Sequence, residues 1–381
     1  MELLSGVAAF GGSTLGYLLP FLAVLTVVVF VHELGHFLVA RWCGVHVTAF
    51  SIGFGPEIAG FTDRKGTRWK LAWIPLGGYV KFLGDENAAS TPDQAALAQL
   101  SEAERRHSFF HKPLRQRALI VAAGPIANFL LALAVFALLF ATFGRPITAP
   151  KVDAIAPGSA AEAAGFRVGD LILSIDGAPV ETFSDMQRVV SSSAGRPLTF
   201  EVIRDAQQLS LTATPDRREI TDRFGNVHRV GLLGISRQAT ADEVQVKRYG
   251  PLAALGLAGK EVYFVVERTL NYVGGVIMGR ESADQLSGPI RIAQVSGQVA
   301  TIGILALVNL AAVLSVSIGL INLFPIPMLD GGHLLYYAIE GVRGRPLSER
   351  AQEMGFRIGL AIVLMLMVFA TWNDLTQLKL L

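Results

Sequence analysis

Residues 22–36, LAVLTVVVFVHELGH, decide how the rest of the chain is read. An uncharged apolar run, Leu22 to Val31, leads directly into His32, Glu33 and His36. On a helix, residues four apart lie on one face. The two imidazoles can therefore share one zinc ion, with Glu33 beside the metal's open position. Ionisable groups at the end of a membrane helix are costly unless they are paired or functional. The placement thus says more than the pattern itself. The bland alternative is a His/Glu cluster resting at the membrane interface.

The run belongs to a longer apolar segment, Leu15 to Ala40, and about 20 such residues span a bilayer as a helix. Ala118 to Phe143 and Gly303 to Phe324 meet the same test, and Ile358 to Trp372 is a shorter fourth span. Only 17% of the 381 residues are charged, against roughly a quarter in soluble domains, which suggests lipid-facing surface. Met1 to Gly16 holds no Lys or Arg, so the first segment does not read as a signal peptide. A net charge of +2 gives no reason to expect nucleic acid. The single cysteine, Cys43, reads as a packing residue. Arg41, Lys112, Arg115 and Arg117, then Arg343, Arg345, Arg350 and Arg357, flank the spans. By the positive-inside rule they put connections 41–117 and 325–357 in the cytoplasm and both termini outside. Leu252 to Met278 is interrupted by Lys260, Glu261, Glu267 and Arg268 and reads as an amphipathic surface helix. Asp85 to Glu104 reads as a mobile linker.

A catalytic zinc normally has three protein ligands and a water. The third is expected after the third span, in Asn322-Leu-Phe-Pro325-Ile-Pro327-Met-Leu-Asp330-Gly331-Gly332-His333. Pro325 and Pro327 stop the helix. Gly331 and Gly332 are read as a tight turn, so that Asp330 is presented from irregular backbone lining a cavity. His333 is the rival ligand, or a residue supporting the site. His46, His107, His111 and His228 show no ligand spacing and read as surface residues.

HELGH in the first span, paired with NLFPIPMLDGG after the third, resembles the site-2 protease family of intramembrane metalloproteases, closest to its bacterial regulator-of-sigma-E type. Pro75 to Lys81, Ala123 to Asn128 and Gly288 to Ile290 match it in the same order. The resemblance implies that His32, His36 and Asp330 bind Zn2+ and that Glu33 is the general base. It also implies that Asn322 touches the substrate backbone. The substrates it implies are single-pass transmembrane proteins, such as anti-sigma factors or leftover signal peptides, cut within the inner (plasma) membrane near its cytoplasmic side. The better-known relatives carry two outward PDZ modules, whereas one is recognisable here.

That module starts from Ala156-Pro-Gly-Ser-Ala-Ala-Glu-Ala-Ala-Gly-Phe and runs through Asp176-Gly177, which is similar to PDZ domains of bacterial proteases. Strands are predicted over Val152–Ile155, Leu171–Ile175, Leu198–Ile203 and Leu209–Ala213, and helices over Ser159–Ala164 and Phe183–Ser191. Such a domain captures a peptide or C-terminus by strand addition, or acts as a size filter or lid. Gly53-Phe54-Gly55 and the stretch containing Gly77 and Gly78 predict a hairpin dipping toward the membrane lipids, where an unwound substrate could pair. The expected architecture is a polytopic α-helical membrane protein of about four transmembrane helices with an inserted extracytoplasmic α/β PDZ-like domain. Its parts are a membrane region over 1–143, the PDZ-like domain over 144–220, a connector over 221–302 and a second membrane region over 303–381. Two rival functions are a catalytically silent PDZ adaptor and an ion transporter using the same polar groups as a relay. The transporter lacks an inverted repeat and leaves the HExxH spacing unexplained.

Overall fold

The computed structural model describes residues 2–85, 93–221, 227–238, 243, 245–283 and 286–377. Two compact units divide the chain, one built from the segments up to Leu138 and after Leu255, the other from Leu139–Ala254.

The first unit begins with helix α1 (Glu2–Trp42). Strands β1 (Val47–Thr62) and β2 (Arg68–Phe82) follow as one antiparallel sheet. Both strands bend back on themselves, because Phe50 pairs with Val80 on one side and Trp69 on the other. The stretch 47–52 therefore lies between 78–82 and 68–71, and 57–62 closes against 68–72. The bend in β1 falls at Gly53, whose φ of 87° and 2.6 Å clearance to the Ile74 carbonyl oxygen admit no Cβ. Fully buried Phe50 holds the sheet against α1, its ring centroid 5.5 Å from that of Phe37 and 4.4 Å from that of Trp69. Arg41, at the end of α1, donates to Thr67 Oγ1 at 2.9 Å and to Asp63 Oδ2 at 2.5 Å. The last turns of α1 are thus clamped by apolar packing and by an ion pair.

Helices α2 (Gln94–Gln99) and α3 (Glu102–Arg105) correct the linker expectation over its described part. The Asp93 side chain caps α2, and Ser101 with Glu104 forms a capping box on α3. Those caps satisfy amides that a polar, Ala-rich composition left unassigned. Residues 86–92 of that expected linker lie outside the described residues. A short 3-10 turn (Phe109–His111) leads into α4 (Leu114–Thr142).

In the second unit, β4 (Ala154–Ile155), α5 (Ala160–Ala163), β5 (Leu171–Ile175), α6 (Phe183–Ser191), β7 (Leu198–Arg204) and β8 (Gln207–Ala213) follow the predicted strand and helix order, and β3 (Arg145–Ile147) and β6 (Ala178–Pro179) are added to it. The main sheet runs β6-β5-β7-β8 and is antiparallel throughout. Phe166, Ile172, Phe200 and Val202 form its core with α5 and α6. Beyond it come the hairpin β9 (Asp216–Thr221) and β10 (Val227–Leu232), then β11 (Ile235–Ser236) and β12 (Gln245–Lys247). β11 pairs with β4, β12 pairs with β3, and Leu233 is buried in the same core. The compact unit is therefore longer than the expected 144–220, because residues assigned to a connector return to close its sheet.

The chain then re-enters the first unit with α7 (Pro251–Ile277), α8 (Pro289–Ala300), α9 (Ile304–Asn322), α10 (Asp330–Arg343) and α11 (Glu349–Gln377). Among the described residues, four stretches are long and apolar enough to cross a membrane: Leu15–Trp42, Leu114–Thr142, Ile304–Asn322 and Arg350–Gln377. The fourth is longer than predicted from Ile358–Trp372. The predicted amphipathic segment is α7, with Ala254, Ala258 and Val265 buried and Leu252, Tyr263 and Leu270 exposed. Helix α8, not foreseen, packs on α1, α9 and α11. Its start is fixed by Asp374 of α11, which accepts the Gly288 and Arg291 amides at 2.8 and 3.0 Å.

One ion pair in the second unit yields a pH prediction. Buried Asp170 accepts Arg204 Nε and Nη2, both at 2.7 Å, and the Arg167 amide at 2.9 Å. Burial alone would push its carboxyl up, but these donors outweigh burial and hold it below the usual carboxylate range. A carboxyl whose folded value lies below its unfolded value stabilises the fold above the unfolded value, and that stability is lost as pH falls through the folded one. Asp170→Asn is expected to cost a fragment spanning 139–254 about 1.5–3 kcal/mol at neutral pH. In chemical denaturation the gap between variant and wild type should shrink once pH falls below about 4, the unfolded aspartate value.

Candidate metal centre

The site assembles from three helices. α1 supplies His32, Glu33 and His36 within one turn. His32 Nε2 lies 3.2 Å from His36 Nε2 and 3.2 Å from Asp330 Oδ2, and His36 Nε2 lies 3.5 Å from Asp330 Oδ1. A tetrahedral zinc with bonds of about 2.0–2.2 Å separates its ligand atoms by about 3.3–3.6 Å. The observed spacings match that edge length.

Protonation supports the same assignment. His36 Nδ1 donates to the Ile120 carbonyl of α4 at 2.9 Å, so the neutral ring keeps a bare Nε2. Asn128, fully buried in α4, puts its side-chain amide 3.3 Å from His32 Nδ1 while its own Oδ1 lies buried without a partner. Turning that amide by 180° places Oδ1 where it accepts Nδ1–H, which satisfies both groups and again leaves Nε2 bare. Asp330 Oδ2 is buried with no donor in hydrogen-bonding geometry. Bare nitrogens and a carboxylate facing one another have no proton to share, and a cation satisfies all three. Among the described residues, His32, His36 and Asp330 form the cluster able to hold a metal.

Asp330 arrives by a route that differs from the expected one. α9 ends at Asn322, the chain runs irregularly through Pro325 and Pro327, and α10 starts at Asp330 itself. Gly331 and Gly332 do not form a turn. They are the first helical residues after Asp330, and a Cβ on either would sit 2.3–2.4 Å from the carbonyl oxygens of Leu323, Phe324 or Ile326. The glycines let α10 start tight against the backbone leaving α9. The turn is carried by Met328, whose φ of 87° is costly for a residue with a side chain.

The metal cluster opens into a cavity of about 1050 Å³ lined by Glu33, Gly78, Tyr79, Val80, Asn322, His333 and residues of α2, α10 and α11, among others. Glu33 packs beside Gly78, where a Cβ would come within 3.0 Å of its Cγ. His333 lines the cavity but stands outside the donor cluster, so the rival-ligand expectation gives way to Asp330. Asn322 and Gly78 reach the cavity. Gly53, Phe54, Gly55 and Gly77 sit in the bent part of the hairpin, where Phe54 packs on Gly77 and stacks on Tyr79 at 6.0 Å. Sequence reading missed the roles of Gly124 and Asn128. The available signal for Asn128 was a carboxamide inside an apolar span.

Known proteins of similar sequence share a class of chemistry. The family described as Peptidase family M50 matches residues 20–366. A "putative zinc metalloprotease" of Agrobacterium fabrum is 52% identical across 98% of this chain and 99% of its own length. The metalloprotease MmpA of Caulobacter vibrioides is 44% identical across 94% and 95%. The regulator of sigma E protease of Salmonella typhi is 32% identical across 96% and 100%. A PDZ domain of an SdrC-like protein from Listeria monocytogenes is 18% identical and covers 23% of this chain and 83% of its own, at a TM-score of 0.18 that bears no weight.

Two residues test the site from outside the ligand set. A Cβ on Gly124 would meet His36 Nε2 at 2.2 Å and His32 Cε1 at 2.9 Å. Gly124→Ala should therefore displace both imidazoles, and elemental analysis of the purified protein should find its zinc lost. Asn128→Ala should weaken zinc about 10–100-fold in chelator competition.

Proposed function

The chain belongs to peptidase family M50, and on that premise we propose that His32, His36 and Asp330 hold its zinc while Glu33 serves as general base. The protein is a zinc metalloprotease of the inner membrane that cuts membrane proteins. The single observation that carries the residue assignment is the convergence of three donor atoms, all within 4.8 Å of one another, from helices far apart in sequence.

Zinc bound there supplies a Lewis acid that acidifies water and polarises a peptide carbonyl. Glu33, on the same helical turn as both imidazoles, takes the proton of the attacking water and returns it to the leaving amine. No serine or cysteine nucleophile is required, and Cys43 is a free, half-buried thiol. Asn128 and the Ile120 carbonyl hold the imidazoles in the tautomer that metal binding needs.

A transmembrane substrate hides its carbonyls in its own helix and must unwind before attack. Residues 78–82 pair with β1 on one side, and Gly78, Tyr79 and Val80 line the cavity beside Glu33. An extended substrate strand added along these residues would bring its backbone to the metal. Asn322, at the cavity end of α9, would hold that backbone, and Gly53, Phe54, Gly55 and Gly77 would shape the bend that carries the edge.

The substrates fitting this reading are single-pass proteins such as anti-sigma factors or remnant signal peptides, in keeping with the name of the Salmonella relative. The positive charges of 41–117 and 325–357 favour an active site near the cytoplasmic side, with both termini and the PDZ-like domain extracytoplasmic. The PDZ-like domain would act as a size filter or lid in preference to capturing a free peptide. A silent adaptor would have no use for the buried donor set or for Glu33 beside it.

Glu33→Gln keeps shape and loses the base. In membranes carrying a single-span reporter, wild type should cut within the span, while the variant should bind zinc and leave the reporter whole. Equal cleavage by the two would remove Glu33 from the mechanism.

A further inference from the structure

The side of α10 that faces the cavity carries Asp330, His333, Tyr336, Tyr337 and Glu340. Asp330 belongs to the donor cluster. Glu340 accepts Arg117 Nη2 at 2.5 Å, and the Arg117 guanidinium lies 5.0 Å from the Tyr337 ring centroid. Tyr336 packs its ring edge-on against His333, centroids 6.5 Å apart, and turns its hydroxyl toward Gly355 of α11. Two of the five lack a polar partner, the Tyr336 hydroxyl and the His333 imidazole. The His333 imidazole makes no hydrogen bond or ion pair with any described residue. Burial pushes it below its usual value, which keeps it neutral.

Three features make that imidazole informative. It sits one helical turn after Asp330, so the two side chains share a face at neighbouring positions. It lines the same cavity as Glu33, His36 and Asp330. And its half-buried ring faces the cavity without a hydrogen-bond partner, so its N–H is available to something that enters the cavity. Hydrolysis of a peptide bond builds negative charge on the carbonyl oxygen, and a positioned N–H donor there speeds such reactions about 10²–10³-fold. The cavity wall offers other donors, among them the Tyr336 hydroxyl, which has no partner, and the Asn322 amide, but His333 is the one that stands a single helical turn from Asp330. Glu33 and Asp330 are acidic, Arg117 is held by Glu340, and Arg105 is a solvent-exposed residue of α3.

We infer that His333 is a catalytic residue, whose ring N–H donates to the oxygen of the scissile carbonyl as charge develops there. A neutral imidazole offers one N–H in either tautomer. The ring meets Tyr336 edge-on, which limits how it can turn before the substrate arrives. The inference rests on the reading of Glu33 and the zinc cluster given above.

The test uses the full chain in lipid-detergent micelles with a single-span substrate. It compares wild type, Glu33→Gln, His333→Leu and His333→Gln for kcat, KM and zinc per chain. His333→Leu should keep stoichiometric zinc and lose about 10²–10³-fold in kcat. Its KM should stay within about threefold, the pattern of an interaction made only in the transition state. His333→Gln, which restores an N–H donor, should recover at least about tenfold over leucine. His333→Phe is a second donorless variant should the leucine variant fail to fold. The inference is overturned if the donorless variant turns over at the wild-type rate, if it loses its zinc, if only KM changes, or if glutamine is no better than leucine. Glu33→Gln separates the two readings. If it is inactive while His333→Leu is active, only the role of His333 falls; if it cleaves like wild type, the reading of the whole site falls.

Discussion

Two imidazole nitrogens and a carboxylate, held within 3.5 Å of one another, form an arrangement that a shared metal cation makes favourable. Much of the first unit can be understood as the means of holding it. The end of α1 is clamped by Phe50, Phe37 and Trp69 on the apolar side and by the Arg41–Asp63 pair on the polar side. α4 contributes no ligand, yet it sets both tautomers and leaves at Gly124 the space the imidazoles occupy. α10 begins on the ligand itself, pressed so closely against the preceding backbone that its first two positions after Asp330 tolerate no side chain. Each device removes freedom from a donor atom before metal binds, which is how a site becomes preorganised.

Water chemistry inside an apolar environment also needs room for a peptide whose own helix must open. The bent hairpin meets that need with backbone alone. Its inner segment is satisfied on both sides by 78–82 and 68–71, so the ladder is stiff where it meets α1. The segment 78–82 has β1 on one side and the cavity on the other. A sheet edge is ordinarily a hazard; here it borders Glu33, and on the proposed reading it would let an unwound chain satisfy its amides.

The legible parts of the sequence were those in which one residue type at one spacing has few physical solutions. HELGH at the end of an apolar run placed two ligands and a base, and the carboxylate after Pro325 and Pro327 offered a third. The strands and helices over 152–213 followed from alternation and turn residues. Other readings failed for specific reasons. Gly331 and Gly332 were read as a turn because glycine pairs usually are one, whereas their task is close approach of two backbones and the turn falls on Met328. The described part of 85–104 was read as linker because single capping bonds, not composition, decide such short helices. Residues after 220 were assigned to a connector because the pairing of β11 with β4 spans some eighty residues and leaves no local trace.

By itself the sequence determined the membrane character, the two histidines and glutamate of one helical turn, and the kind of chemistry they support. These are local properties, set by hydropathy over a span and by the 3.6-residue period of a helix. Only the tertiary structure brings Asp330, and not His333, together with the two imidazoles, a choice that spacing leaves open because the two stand one turn apart on the same helix face. It likewise gave Asn128 and the Ile120 carbonyl their role, and required that residue 124 have no side chain. Those outcomes depend on where α4 and α10 lie against α1, and a distance between helices remote in the chain is a product of packing that no spacing along the sequence encodes.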